Sequence, residues 1–399
     1  MRGAVDPYLR LLAALSLVLL VSGAVLDLAW LSLLFPAVGV LFAVGGAVAA
    51  SAADRAASGR VYLRQSLTTL LLPFWLFAAA VVSTMLARGW EADTYQGAEP
   101  LDWGTAWLWL LPLSEPPASV EGLPWVLTAW FVPAYLCLLV ATPALLWLFR
   151  RWPLRLMVLP VVTVLLLTAG IATLTGRARD VVVAVCVYAC CWLVGFARHD
   201  RTLFRLPLRA ALAAGVVFLG AGLAYAARQG PLAATTIDDI PLAAQLYSLG
   251  AVVLLLRAPW QGRRLASGWT GGVLSAVGAR TTTIFLWTPA VAAAAVPALA
   301  VSPLADYHTD DPSGVALQYV TTWVLLLVVV LAIGWVEDLG AGRWPTLLGC
   351  LRREVLPRAP RPAAYVVRDN VVQQLPVPAD PERPVSPVPE PAGRQQVVL

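Results

Sequence analysis

The sequence has no lysine, since all 28 of its basic residues are arginine. It has two histidines and five cysteines, without a CxxC pair or a Cys/His cluster, so we expect no metal site and no disulfide framework. Charged residues make up only 13% of the chain, against roughly 25% in a soluble domain. Together with 59% hydrophobic residues, this excludes an ordinary soluble protein and indicates the membrane class.

The apolar runs of the sequence also lack charge at their centres. They contain serine, threonine, tyrosine, cysteine and glutamine, but no central aspartate, glutamate, histidine or lysine. Ionisable groups inside a membrane are costly and usually functional. Their absence argues against a proton-coupled pump, and also against a general base within the helices.

Ten apolar runs are candidates for crossing the membrane, which takes about 20 residues each. The sequence therefore predicts an all-α polytopic membrane protein with about ten transmembrane helices and the lipid bilayer as its first partner. The runs lie at 9–26, 29–50, 67–87, 125–149, 156–175, 181–197, 210–227, 241–256, 281–301 and 317–336.

The arginines are unevenly distributed between the two sides of this predicted bundle. Of the 28, 24 lie in alternate joints and in the C-terminal tail, and the other joints hold only Arg88, Arg177, Arg179 and Arg228. Because basic residues stay on the cytoplasmic side, both termini are predicted to be cytoplasmic. The net charge of +5 then indicates binding to anionic lipid at the cytoplasmic helix ends, and it is not evidence for nucleic-acid binding. The exclusive use of arginine suggests a GC-rich bacterial genome. With ten predicted spans, we therefore expect a multi-pass protein of the inner (plasma) membrane.

Two regions differ from the helical runs. Residues 88–124 form a long outer loop rich in acids and tryptophan, which is either an interfacial belt or an aromatic, acidic lip over a sugar or lipid headgroup. Within 341–399, proline recurs every two or three residues from Pro376 to Pro391, which predicts a disordered or polyproline II tail. The predicted domains are thus a transmembrane domain, 1–340, and a cytoplasmic tail, 341–399.

Four short segments occur in a specific order along the chain. They are Val5–Leu15 (VDPYLRLLAAL), Tyr62–Trp75 (YLR followed by LLPFW), Trp130–Tyr135 (WFVPAY) and Gly278–Trp287 (GARTTTIFLW). In order and spacing they resemble the acyltransferase type 3 family of integral membrane O-acyltransferases. The resemblance covers roughly residues 5–335 and implies a fold of ten helices with the same topology.

The resemblance implies the transfer of an acyl group, often acetyl, from cytoplasmic acyl-CoA to a hydroxyl group. The acceptor would be an envelope glycan, an exopolysaccharide, an antibiotic or another lipid-linked or small molecule. Acyl-CoA is then a co-substrate, and no resident cofactor is expected. Arg10 and Arg64 would hold the CoA phosphates, a task that suits the guanidinium fork. Alternatively, both arginines simply extend their charge to water at the cytoplasmic ends of their helices.

The resemblance also places four residues at the acceptor or its pocket: Trp130, Phe131, Trp287 and Thr288. For Trp130 and Phe131 the alternative is a packing role in the helical bundle. A histidine in the first helix would act as the family's general base on the acceptor hydroxyl.

This chain departs from the family pattern at that histidine. The position, eleven residues after Arg10, is Val21. Two further family histidine positions hold Thr128 and Thr288, and arginines expected beside Arg64 are replaced by Ser66 and Thr69. Loss of a general base typically costs about 10²–10⁴-fold in rate.

Three hypotheses about function therefore stay open. The first is an acyltransferase that still transfers acyl groups with altered residues. The second is a catalytically silent relative that binds a lipid-linked glycan or a partner protein. The third is a transporter or lipid translocase, which ten helices would permit but which the missing intramembrane charge makes unsuited to ion coupling.

Overall fold

The computed structural model describes residues 6–26, 28, 30–90, 98–230, 236–258, 268–302, 311–342, 365–368 and 371–374. The chain divides into two units, Met1–Leu351 and Arg352–Leu399. The first unit is all-α in its described residues, as predicted, and contains every helix named below.

Eight helices are long and apolar enough to cross a membrane. They are α1 (Pro7–Leu26), α3 (Ala37–Arg55), α4 (Gly59–Ala87), α6 (Phe131–Arg151), α8 (Gly176–His199), α10 (Leu208–Gln229), α13 (Thr281–Ala300) and α14 (Pro312–Ile333). Each coincides with a predicted apolar run. The polytopic all-α membrane fold is thus confirmed.

The other two predicted runs are also helical but shorter. They are α7 (Pro153–Thr168) and α11 (Pro241–Arg257), of 16 and 17 residues. At 1.5 Å per residue they measure about 24–26 Å, less than the roughly 30 Å of a hydrocarbon core. The number of ten spans therefore stays a prediction. Short connecting helices complete the unit: α2 (Leu31–Leu34), α5 (Trp103–Ala106), α9 (Thr202–Arg205), α12 (Gly268–Ala279) and α15 (Trp335–Gly340).

Local chemistry explains where several helices begin. Proline occupies the first helical position of α7, α11 and α14, where a missing N–H costs nothing. Ser58 caps α4, and its side chain accepts a hydrogen bond from the amide of Val61. Arg10 near the start of α1, Arg64 near the start of α4 and Arg150 at the end of α6 lie at one end of the bundle, called the arginine-rich end. The opposite end, which carries Arg88 and Arg177, is called the arginine-poor end.

The main core forms where α3, α6 and α8 pack together. Phe42 of α3 stacks on Tyr188 of α8 with ring centroids 4.6 Å apart, and Trp192 is fully buried beside it. Glycines allow the close approach of helices elsewhere: a Cβ added to Gly222 of α10 would lie 2.6 Å from the backbone nitrogen of Tyr247 in α11. Small residues at helix contacts are characteristic of membrane bundles, where backbones pack closely.

The second unit contains two short strands, β1 (Tyr365–Arg368) and β2 (Val371–Gln374). They pair antiparallel, with Tyr365 opposite Gln374. Valine-rich runs separated by two polar residues are a typical hairpin pattern. These strands lie within the predicted tail 341–399, whose proline-rich part, Pro376–Pro391, is outside the described residues.

Candidate active site

Helix α13 contacts the helices that carry the other three segments found in the sequence. Phe285 of α13 lies 4.5 Å from Phe131 of α6 between ring centroids. Two residues later, Trp287 meets Phe77 of α4 edge to face at 5.6 Å. Val21 of α1 belongs to an apolar cluster against which Trp287 also packs. Helices α1, α4 and α6, which carry the other three segments, thus come together at α13.

Val21 is packed in an apolar cluster. It has no exposed surface and forms a cluster with Val291 and Leu326, against which Trp287 packs. The next residue, Ser22, is in hydrogen-bond contact with the hydroxyl of Tyr319 at 3.0 Å. In this chain, the family histidine position is therefore occupied by a closely packed valine, which cannot accept a proton.

Trp130 and Phe131 belong to an aromatic group at the start of α6. Trp130 stacks on Tyr188 at 5.7 Å between centroids, and Phe131 packs on Phe42 at 4.7 Å. Phe131 is buried, whereas Trp130 is half-buried. In this geometry both rings hold α3, α6, α8 and α13 together, and Trp130 keeps a partly free surface.

The two threonines at family histidine positions differ in their surroundings. Thr288 is buried, and its hydroxyl donates to the carbonyl of Ile284 in its own helix at 2.7 Å. The hydroxyl oxygen of Thr128 is also buried but has no hydrogen-bond partner within the described part of the chain. Among the described residues, neither hydroxyl is hydrogen-bonded to a side-chain base that would make it a nucleophile.

Arg10 and Arg64 both lie at the arginine-rich end, on different helices. The side chain of Arg10 is half-buried and runs past Gly278, the last residue but one of α12. Arg64 is exposed on α4, one turn before Thr68, whose hydroxyl lies 2.8 Å from the carbonyl oxygen of Gly340 in α15. The two predicted donor-binding arginines thus flank the region where α12, α13 and α15 end or begin.

A buried charged cluster lies in that same region. Arg280, immediately before α13, forms an ion pair of 2.6 Å with Asp338 of α15. Glu337 accepts two hydrogen bonds from Thr283, one from its backbone N–H at 2.5 Å and one from its hydroxyl at 2.6 Å. Burial raises the pKa of Glu337 to about 7, although the bonds from Thr283 and the charge of Arg280 act in the opposite direction.

Sequence reasoning missed this cluster. Glu337 and Asp338 directly follow the last apolar run, where acids usually face water, and Arg280 was recognised only as part of the fourth segment. The sequence signal for the cluster was the adjacent pair Glu337 and Asp338 after α14, with Arg280 at the same end of the preceding helix α13. The sequence alone gives no indication that all three side chains are buried.

A second polar group at the arginine-rich end could in principle hold a cation. Ligand atoms of Asp54, His199 and Asp200 lie within 4.8 Å of one another. The guanidinium of Arg150 already donates to both carboxylates at 2.7–3.0 Å, so it balances one of their two negative charges. Beside them is a cavity of about 280 Å³. Its lining includes Asp54, Tyr62, Trp147 and Arg150, but neither Arg10 nor Arg64.

Comparison with known proteins decides the family. The model of acyltransferase type 3, described as an acyltransferase domain, matches residues 8–336. The chain belongs to the acyltransferase type 3 family. The predicted resemblance is confirmed, and the protein is a membrane protein with an acyltransferase-like function. No curated protein and no solved structure matches the chain. The match includes Arg10, Val21, Arg64, Arg280 and Thr283, and it ends one residue before Glu337.

Proposed function

We propose that the protein transfers an acyl group, acetyl in the simplest case, from acyl-CoA to a hydroxyl of a glycan or other envelope or secondary-metabolite acceptor. The observation that carries this proposal is the meeting, around α13, of the helices that carry the other three family segments. Phe131, Phe77 and Val21, from three different helices, all contact α13 or the cluster against which its Trp287 packs. This assembly supports an acyltransferase role for the bundle.

The donor would bind at the arginine-rich end, which we take to be the cytoplasmic face of a bacterial plasma membrane. Arg10 and Arg64 are its proposed ligands, because a guanidinium forms paired hydrogen bonds with phosphate oxygens. Arg64 is exposed and Arg10 half-buried, so both can reach an anionic group in water. Arg280 is already engaged by Asp338 and serves the fold instead.

The acceptor would reach the site beside Trp287. This ring is half-buried and borders two apolar clusters. Trp130, Phe131 and Thr288 are the residues proposed to form the wall of the acceptor pocket. Attack of the acceptor hydroxyl on the thioester forms the new ester and releases CoA as its thiol. Because Val21 cannot take up the hydroxyl proton, we expect turnover roughly 10²–10⁴-fold below that of an enzyme with a base.

The test is radiolabelled acetyl-CoA added to protein in vesicles that contain bacterial envelope lipids and lipid-linked glycans. We expect binding by wild type, labelled acceptor after long incubation, and loss of both in Arg10→Ala and Arg64→Ala. Arg209→Ala is the matched control, since Arg209 is exposed at the arginine-rich start of α10. A fully folded wild-type protein that neither binds acetyl-CoA nor labels any acceptor would refute the proposal.

One observation favours the second function, a silent relative that binds acyl donor or glycan without turnover. It is the apolar packing of Val21, which leaves the position of the base without a proton acceptor. Val21→His would restore a base, and Val21→Thr is the control of nearly unchanged size. Donor binding without product in wild type, and product only in Val21→His, would establish this second function in place of the first.

A further inference from the structure

The loop at the arginine-poor end contains an apolar segment that crosses back toward the bundle. Residues 103–113, WGTAWLWLLPL, contain no charged side chain. They begin with α5 and continue through a 3₁₀ turn, Trp107–Trp109. One face is buried: Trp109 stacks on Phe74 of α4 at 6.4 Å between centroids, and its indole N–H donates to the carbonyl of Pro117 at 3.0 Å. The segment is therefore firmly attached to the bundle.

The opposite face of the same segment is also apolar, yet it is exposed. Trp103, Trp107, Leu110 and Leu111 follow the spacing i, i+4, i+7, i+8 of a single helical face. Trp103 is 82% exposed and Leu110 70%. Soluble proteins rarely leave a contiguous apolar patch of this kind uncovered. A segment that is apolar on both faces requires a second apolar surface against it.

The depth of this face follows from its contacts with α4. At the end of that helix, Arg88 and Glu121 form an exposed ion pair that marks the charged rim of the loop. The indole N–H of Trp75 donates to the carbonyl of Leu110 at 2.7 Å. Trp75 lies about 12 residues before the end of α4, or roughly 18 Å along its axis. The segment therefore descends from the rim along the spanning helix.

The side of α4 that receives the segment is its lipid-facing side. Trp75 and Leu76 are both exposed there, as is Leu86 nearer the rim. The apolar face of the segment is thus continuous with the surface that the bilayer already covers. Polar backbone groups at this depth also have partners: the amides of Leu110 and Leu111 donate to the carbonyl of Trp107, and the carbonyl of Leu110 accepts from Trp75. Backbone polar groups satisfied within the protein are a requirement of the hydrocarbon region.

We propose that residues 103–113 are a re-entrant segment whose exposed face inserts into the leaflet at the arginine-poor end, the outer leaflet in the predicted topology. Its partner is the acyl-chain region of the bilayer. Trp103, at the start of the segment beside Asp102, lies at the headgroup level, where tryptophan is enriched. Leu110 and Leu111 lie deeper, among the chains. This arrangement does not depend on whether the protein transfers acyl groups.

The segment also separates the lipid from the candidate site. Trp109, Phe74 and Phe77 belong to one buried cluster with Leu286 of α13, and Trp287 packs against that cluster. A single layer of side chains thus lies between the lipid-facing surface and α13. A hydrophobic tail of an acceptor in this leaflet would meet this layer first.

The test uses wild-type protein in vesicles of phosphatidylethanolamine and phosphatidylglycerol that contain a trace of a phospholipid with a diazirine in its acyl chain. After illumination, we expect lipid adducts in the peptide 103–113 and in the α14 peptide that carries exposed Leu327 and Val328. The rim around Glu121 should stay free of adducts. Adducts in α14 without any in 103–113 would overturn the proposal, because the apolar face would then point to water.

A pair of variants separates insertion from incidental contact. Leu110→Asp places a charge on the deep part of the face and is expected to reduce adducts in 103–113 at least about tenfold, because a carboxylate is costly in the hydrocarbon. Val120→Asp, also in an exposed position but next to the rim residue Glu121, is expected to leave them unchanged. Equal labelling of wild type and Leu110→Asp would contradict insertion of this face.

Discussion

Arg280 and Asp338 form an ion pair of 2.6 Å in which both side chains are almost completely buried. The pair joins the start of α13 to α15, and Glu337 with Thr283 adds a second connection within one turn. Thr68 adds a third, from α4 to the carbonyl of Gly340. The short helix α15 is thereby fixed between two of the helices that carry family segments.

Loss of the acid in this pair should strongly destabilise the protein. In Asp338→Ala, Arg280 would keep its charge in a buried position without the carboxylate, and such changes typically cost about 3–5 kcal/mol. The measurement is the free energy of unfolding in detergent micelles. Glu121→Ala removes the exposed pair with Arg88 and should cost less than about 1 kcal/mol. Equal effects of the two variants would mean that the Arg280 pair is not buried in solution.

The stability of the protein should depend on pH through Glu337. Burial raises the pKa of this carboxyl to about 7, from an ordinary value of 4.5. Between these values the folded state holds a proton that the unfolded state has lost, so the free energy of unfolding falls as pH rises. The loss is on the order of 3 kcal/mol at most. Unfolding measured from pH 4 to 8 should show this decline in wild type and lack it in Glu337→Gln. An identical decline in the variant would assign it to another group.

Two glycines of α10 should respond oppositely to the same substitution. A Cβ on Gly222 would lie 2.6 Å from the backbone nitrogen of Tyr247, so Gly222→Ala forces α10 and α11 apart. Overpacking of this kind typically costs about 1–3 kcal/mol. Gly220, two residues earlier, has open space, and Gly220→Ala should be neutral or slightly stabilising. Thermal unfolding of both variants gives the comparison, and a stable Gly222→Ala would contradict the close packing.

Phe131 should prove important for folding whatever its part in binding. Its ring packs on Phe42, Tyr135 and Phe285, and Phe131→Ala would leave a cavity that typically costs about 3–5 kcal/mol. Trp147, on the same helix, is 62% exposed, and Trp147→Ala should cost little. Unfolding by denaturant in micelles measures both. A small change in Phe131→Ala combined with loss of acceptor binding would instead assign the ring to the pocket.

The sequence predicted the helical architecture well because hydrophobic length alone determines where a chain can cross a membrane. All ten predicted apolar runs contain a helix in the structure. Lengths were harder to predict: the run at 156–175 becomes a helix that stops at Thr168, because Gly170, with φ of +70°, ends it although the apolar run continues.

The candidate site was only partly predictable. The four segments indicated which helices matter, and the structure brings them together. Burial of Arg280, Glu337 and Asp338 could not be foreseen, because it depends on how α15 packs against α4 and α13. In the same way, only tertiary contacts reveal that Leu110 of the long loop returns to Trp75.

The shortness of α7 has a consequence for the surrounding lipid. In the predicted ten-span topology, about 24 Å of helix must match a hydrocarbon layer of roughly 30 Å, and the exposed residues of α7, among them Leu154, Val158 and Leu159, would face that layer. A short hydrophobic stretch is accommodated by local compression of the bilayer. The membrane beside α7 should therefore be thinner than elsewhere around the protein, and lipids with shorter chains should accumulate there.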